Sequence, residues 1–420
     1  MKKLLNNIGR WFKSLVLPVD QREPRFLTLY KKDSTKSVLS SVICIFAGIL
    51  IGSIILAVLG LTSSNIPTNQ IFKGIGIIFK GPFASLSQSL RLMNFGDMLL
   101  EATPILLTGL SVAIAFKTGL FNIGAPGQYL MGAMTSVLVA LSIPTGGNPF
   151  VGFLVWLLAL IMGTLAGAVW GVIPGFFKAF LNVNEVIVCI MTNWIAASVV
   201  SWVFAGSKFI NYEETKMNFI KVTSTNGVAT PKLGLDKLFP GSDIDIGLFI
   251  AIAVAIVVYI VINKTTFGYE LRSCGSNKHA AKYAGMNEKR NIILSMVIAG
   301  GLSAMGASLL YLNGNRELLW DTYAQLPANG FNGIPVALLA SNNPIGVIFA
   351  SVFLRYIDKA GAGLAQLTSF NEYVSDLIVA IIVYFAGFSK LFRDMLFAKK
   401  SVRDLKPQDK KPQAEKGGDK

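Results

Sequence analysis

The sequence predicts an all-α polytopic integral membrane protein, a helical bundle of about ten spans. Some spans are interrupted half-helices, and both termini are expected in the cytoplasm. Three observations lead there. Hydrophobic residues make up 53% of the 420 residues and charged residues only 15%, where a soluble domain carries about 25%. Val38 to Leu61 runs for 24 residues without a charge, and about 20 apolar residues cross a bilayer core. The basic residues also gather on one side of the alternation that successive spans impose. A mean hydropathy of +0.56 agrees.

The spans follow in order. Val38–Leu61 is expected to be a retained anchor, because nine Lys/Arg precede it within 1–37 and its apolar core is too long for a signal peptide. Further spans are expected near 101–116, 121–143, 150–173, 186–206, 246–262, 292–312, 331–341, 344–357 and 373–388. The transmembrane domain then covers 38–390, between a basic cytoplasmic extension (1–37) and a disordered cytoplasmic tail (391–420). Trp11, Phe12, Leu15 and Val16 give the extension a short apolar face. It reads equally as a helix lying on the membrane or as a loosely ordered tail. Residues 62–100 form an outer segment with two weakly amphipathic stretches, and 207–245 form the longest outer loop.

With the N-terminus inside, inner segments hold 27 of the 38 Lys/Arg. The formal net charge of +15 therefore faces cytoplasm and anionic lipid headgroups, and no nucleic-acid partner is expected. An even number of spans keeps the basic tail inside. One histidine and three cysteines leave little for a metal cage, and no metal site is expected. No phosphate-cradling G-x-x-x-x-G-K-[ST] loop and no G-x-S-x-G elbow occurs. Enzymatic chemistry has almost no residues to stand on.

Two segments are interrupted by helix breakers. Phe121-Asn122-Ile123-Gly124-Ala125-Pro126-Gly127-Gln128 opens one span, and Phe331-Asn332-Gly333-Ile334-Pro335 opens another. Ser341-Asn342-Asn343-Pro344 then breaks the run. Residues 331–341 would span about 16 Å as a helix, half a bilayer. Freed backbone groups at such breaks need protein partners or a wet cavity, and paired broken segments point to a transporter's site. Gly163, Gly167 and Gly171 recur every four residues, as do Ser303 and Ala307, which suits close helix packing.

The loop 263–290 is expected to face the cytoplasm. Ser276 or Asn277 can cap a helix of about seven residues that Gly285 ends, with Ala280 and Ala281 side by side within it. Such a helix is either a docking element or part of a solvated loop. The segment carries Gly268, Leu271, Arg272, Gly275, Asn277, Ala280, Ala281 and Gly285. In that order it resembles the coupling-helix region of ABC importer permeases of the branched-chain amino acid and simple-sugar superfamily. Thr103–Leu110 and Phe116–Gln128 resemble the nucleoside-uptake branch, with Pro126 where that branch usually has Glu. Phe331–Leu339 is similar too, with Asn332 and Pro335 as departures. The likeness covers about 40–390.

The resemblance implies a permease subunit in the cell membrane that translocates nucleosides. A separate cytoplasmic ATPase would dock on Gly275, Ser276, Asn277, Ala280, Ala281 and Gly285. That chain would hold ATP and Mg, leaving this one without a cofactor. A second permease subunit, of a different chain, and an external substrate-binding lipoprotein complete the implied assembly. Simple sugars such as ribose or galactose are the alternative substrates, and an ion-coupled secondary transporter is the alternative class.

Polar groups inside spans are costly and mark pathways. Asn122, Gln128, Asn193, Asn332 and Phe121 are the expected pathway residues, since amides give donor and acceptor together to a neutral, hydroxyl-rich ligand. Glu101 and Asn342 are further candidates. Structural hydrogen bonds between helices compete with that role for each amide. The spans present no buried Arg or Lys to pair with a phosphate and no carboxylate cluster for a cation. Cys44 and Cys189 are expected to be apolar fillers.

Overall fold

The computed structural model describes residues 33–62, 67–85, 87–213, 216–221, 227–321, 326–371 and 373–387. Residues 45–386 form one compact unit. The expectations for Trp11 and for the tail after 391 lie outside the described residues.

The helices are α1 (Asp33–Thr62), α2 (Thr68–Lys80), α3 (Gln88–Lys117), α4 (Ala125–Ser142), α5 (Pro149–Leu181), α6 (Glu185–Phe204), α7 (Leu235–Leu238) and α8 (Gly247–Lys264). They continue as α9 (Thr266–Ser276), α10 (Lys278–Tyr283), α11 (Glu288–Tyr311), α12 (Ala328–Phe331), α13 (Gly333–Leu339), α14 (Pro344–Leu367) and α15 (Tyr373–Gly387). Among the described residues, five helices are long and apolar enough to cross a membrane: α3, α5, α6, α8 and α11.

The fold is mostly helical, and one expectation is corrected. The loop 207–245 contributes strands β1 (Ile210–Asn211) and β2 (Lys216–Ile220), which join β3 (Leu318–Leu319) in an antiparallel sheet ordered β1-β2-β3. Ile210, Ile220 and Leu318 are buried beneath it. Three apolar anchors on one face hold these short strands, whose partners lie far apart in sequence.

Helix ends follow local chemistry. Asn148, Asn184, Asn287 and Asn343 each accept a backbone N–H at the start of α5, α6, α11 and α14. Asn182 ends α5 in the left-handed region at φ 52°. Helix α3 runs well beyond the expected 101–116. Its internal Pro104 leaves a gap that does not end it, and the Thr108 hydroxyl donates to the Pro104 carbonyl at 3.1 Å.

The expected half-helix is present. Helix α13 is seven residues long. The chain reverses after it with Ser341 at φ 50° and Asn342 at φ 57°. Helix α14 then runs back along α3 in the opposite sense, so that Val347 lies near Gly109 and Arg355 reaches the Glu101 carbonyl.

The glycine rows of α5 meet α11 directly. A methyl on Gly167 would strike Ala304 and the Gly300 carbonyl, and one on Gly171 would strike the Met296 carbonyl. Ser303 turns the other way and donates to the Ala125 carbonyl at 2.7 Å. Small residues thus let backbones approach, as their spacing predicts.

Candidate functional site

Three of the expected pathway amides hold one turn, two of them as a closed pair. Asn122 Nδ2 donates to Gln128 Oε1 at 2.8 Å and to Ser111 Oγ at 2.9 Å, and Gln128 Nε2 donates back to Asn122 Oδ1 at 3.2 Å. Asn193 Oδ1 accepts from the Gly127 N–H at 2.8 Å, and its Nδ2 donates to the Ile123 carbonyl at 3.0 Å. All three side chains are buried. Asn122 and Gln128 satisfy each other, and Asn193 separately pins the backbone of the 121–128 turn, which is the work of interhelical hydrogen bonds. Phe121 stacks on Phe116 with ring centroids 5.2 Å apart. Trp194, next to Asn193 in sequence, faces outward in a shallow apolar groove with Ile195, Val199 and Trp202.

Asn332 is placed differently. It borders a cavity of about 590 Å³ with Pro335 from α13, Arg355 and Asp358 from α14, and Tyr373 and Asp376 from α15. That volume lies within the range of about 300–1,000 Å³ of small-molecule sites. Beside it, Glu101 accepts from Lys359 Nζ at 3.1 Å and from Arg316 Nη2 at 3.2 Å. The Arg355 guanidinium donates through Nε to the Glu101 carbonyl at 3.2 Å, through Nη1 to Asp358 Oδ2 at 2.9 Å, and through Nη2 to Asn329 Oδ1 at 2.5 Å.

The sequence reading of the spans missed this group: half-buried Arg355 borders the cavity together with two carboxylates, Asp358 and Asp376. Arg355, Asp358 and Lys359 stand at i, i+3 and i+4, on one face of α14. That spacing was the available signal. An apolar window that ends at residue 357 cuts the face in two, whereas the helix continues to Leu367 because its charges are paired inside the bundle.

The loop 263–290 folds as a helix pair. Asn277 caps α10 by accepting from the Ala280 N–H at 3.0 Å, and Gly285 follows at φ 80°. The preceding α9, capped by Thr265, was not expected. Ala280 and Tyr283 are exposed, whereas Ala281 is 3% exposed. Gly275 packs against the chain at 117–119, where a methyl would strike the Lys117 carbonyl. Nearby, the Thr118 and Ser295 hydroxyls share a hydrogen bond of 2.8 Å. Exposed Ser276, Asn277, Ala280 and Gly285 form the free side of the loop, and Gly275 and Ala281 its packed side.

At the other end of the bundle, Asp245 Oδ1 accepts from the Gly247 N–H at 2.7 Å and Oδ2 from Asn313 Nδ2 at 2.6 Å. Burial pushes its carboxyl up from the ordinary 3.8 to about 6, against the opposing pull of those two donors. Among the described residues, no cluster of three His, Cys, Asp or Glu could hold a metal ion.

Residues 94–387 match the family described as branched-chain amino acid transport system / permease component. The chain is 32% identical over 358 residues to the guanosine ABC transporter permease protein NupP of Bacillus subtilis (strain 168), covering 85% of this chain and 94% of that one. It is 33% identical over 381 residues to the nucleoside ABC transporter permease protein NupB of Lactococcus lactis subsp. cremoris, covering 90% and 98%. Identity to the glucose ABC transporter permease protein TsgB13 of Haloferax volcanii is 30% over 305 residues, 71% of this chain and 77% of that protein. No solved structure matches.

Proposed function

Because the chain belongs to the branched-chain amino acid transport system / permease component family, we propose that it is the membrane permease subunit of an ATP-binding cassette importer for nucleosides. The observation that carries the substrate class is the identity to the guanosine and nucleoside permeases across 85% and 90% of the chain. Identity to the glucose permease reaches 71% of the chain and supports a sugar less well.

The cavity agrees with that reading. Asp358, Asp376 and Arg355 line it, and the paired charges of Glu101, Arg316 and Lys359 lie beside it. Such a set suits a neutral ligand rich in hydrogen-bonding groups, with Tyr373, Pro335 and Leu354 as walls for its apolar faces. The substrate path runs past Asn332, and the Asn122–Gln128 pair with Asn193 holds the neighbouring turn in place.

ATP is hydrolysed on a separate cytoplasmic chain that docks on the exposed side of α10. A second permease chain and an external binding lipoprotein complete the assembly. Both termini lie in the cytoplasm, as the Lys/Arg distribution requires.

Uptake of labelled guanosine in a strain carrying only this system tests the proposal. Uptake should need ATP and should be displaced by other nucleosides. Complete displacement by ribose or glucose, with unlabelled nucleosides ineffective, would overturn the substrate class.

A further inference from the structure

Among the acids in and beside the cavity, Asp376 differs from the other two. Glu101 is held by Lys359 and Arg316, and Asp358 is held by Arg355. Among the described residues, Asp376 has neither a hydrogen bond nor an ion pair, and its side chain is exposed where it borders the cavity. An uncompensated carboxylate on a membrane helix is costly and marks function. An ionised carboxylate only accepts, and its two oxygens lie side by side. It therefore fits a ligand edge that carries two adjacent donors.

Tyr373 adds a second constraint. It precedes Asp376 by three residues, lies on the same face of α15 and borders the same cavity. An aromatic ring offers a platform on which a nucleobase stacks. A base stacked there would turn its edge toward the carboxylate one helical turn on. Asn332 and the guanidinium of Arg355 border the cavity as well.

We propose that Asp376 determines the specificity of the translocation cavity, selecting a purine whose edge carries a ring N–H beside an exocyclic amine. The 2-amino-6-oxopurine of guanosine has that edge. Inosine keeps the ring N–H but lacks the amine. Adenine places a ring acceptor beside its amine, and uracil offers a single N–H. The proposal rests on the nucleoside reading above and deepens it.

The test uses the whole transporter in liposomes, with the ATPase and the external protein present. Each nucleoside is supplied at saturation, so that the external protein is fully loaded and maximal uptake rates report the permease. Guanosine should outrun inosine by about tenfold, because a site built around two donors leaves an acceptor unpaired when one is missing. In Asp376→Asn the guanosine-to-inosine ratio should fall to within about twofold, since an amide accepts at one atom only. Asp376→Glu keeps the two acceptors and should keep the preference at a lower rate. It also guards against a variant that merely misfolds, which melting in detergent would reveal.

Three results overturn the assignment: an unchanged ratio in Asp376→Asn, a lost preference in a folded Asp376→Glu, or a change confined to guanosine against 2′-deoxyguanosine. The last would place the sugar, not the base, on the carboxylate. If the unaltered transporter moves glucose but no nucleoside, the nucleoside reading itself fails, and that outcome is distinct from the other three.

Discussion

Gly119 and Gly275 meet backbone to backbone: a methyl built on Gly119 would lie 3.2 Å from the Cα of Gly275, and Gly119 takes a φ of +74°. This contact joins the end of α9, beside α10, to the turn that leads into Phe121 and the amide pair. A force applied at α10 thus has a direct mechanical route to the start of α4. Gly275→Ala should strain that route, because the new methyl meets the Lys117 carbonyl and the Gly119 N–H. The expected cost is about 1–3 kcal/mol of stability, as for overpacking elsewhere. Uptake should fall further than ATP hydrolysis while the ATPase stays bound. A proportional loss of both would remove the contact from the coupling route.

The two alanines of α10 should separate by face. Ala280 is exposed and Ala281 is buried. Ala280→Glu should release the ATPase from a permease that melts normally. Ala281→Glu should lower the melting temperature, since it buries a carboxylate with no partner. Co-purification and melting, measured on the same samples, check both. Equal melting of the two variants would contradict the burial.

The Asn122–Gln128 pair should act as one unit. Asn122→Leu strands the Gln128 amide and removes a partner of Ser111, at a cost of about 1–3 kcal/mol. Gln128→Leu should cost about the same. The double variant should cost clearly less than the two together, because the shared interaction is lost only once. Denaturation of all three in detergent measures this. Strict additivity would show that the pair is not coupled.

Glu101 anchors two cations at once, Lys359 and Arg316. Glu101→Gln keeps the shape and removes the charge. Breaking a half-buried pair this way leaves the partners uncompensated, and the cost should be about 3 kcal/mol. Uptake should fall by at least about tenfold. Glu101→Asp, too short to reach both partners, should fall between. A glutamine variant with normal melting and uptake would take Glu101 out of the site.

Asp245 gives the fold a pH dependence of definite sign. Its folded-state value is raised from 3.8 to about 6 by burial. The folded state therefore holds the proton more tightly than the unfolded chain, and stability falls as pH rises through about 4 to 6. Two units correspond to roughly 3 kcal/mol at most. Asp245→Asn removes that slope, so its melting should change less between pH 4 and 6.5 than that of the unaltered chain. An identical slope in both would assign the effect to other groups.

Local chemistry was readable and distant pairing was not. The caps of α10 follow from Asn277 and Gly285, the seam from Gly163, Gly167 and Gly171, and the half-helix from Asn332–Pro335 and Asn342–Pro344. Each needs only neighbours a few residues away. The cavity needs Arg355 to find Glu101 across 254 positions, and nothing in either segment names the other. Hydropathy counts those charges against a span, although pairing cancels their cost. The amides left two roles open for a related reason. Polarity in a span is visible in sequence, but whether Asn122 meets a ligand or Gln128 depends on how the turn at 121–128 closes.

Along α5 and α11, bare backbone lies on bare backbone. Side chains would give two helices play, and here Gly167, Gly171 and Gly300 provide none. A slip of one residue, about 1.5 Å along the axis, would drive carbonyl oxygens into Cα atoms at several levels together. The pair is therefore locked in register and can shift only as one body. One end is at Glu288, which meets Lys278 of α10, and the other is at Tyr311, close to the strands of the opposite face. A displacement at one end is carried to the other without slip.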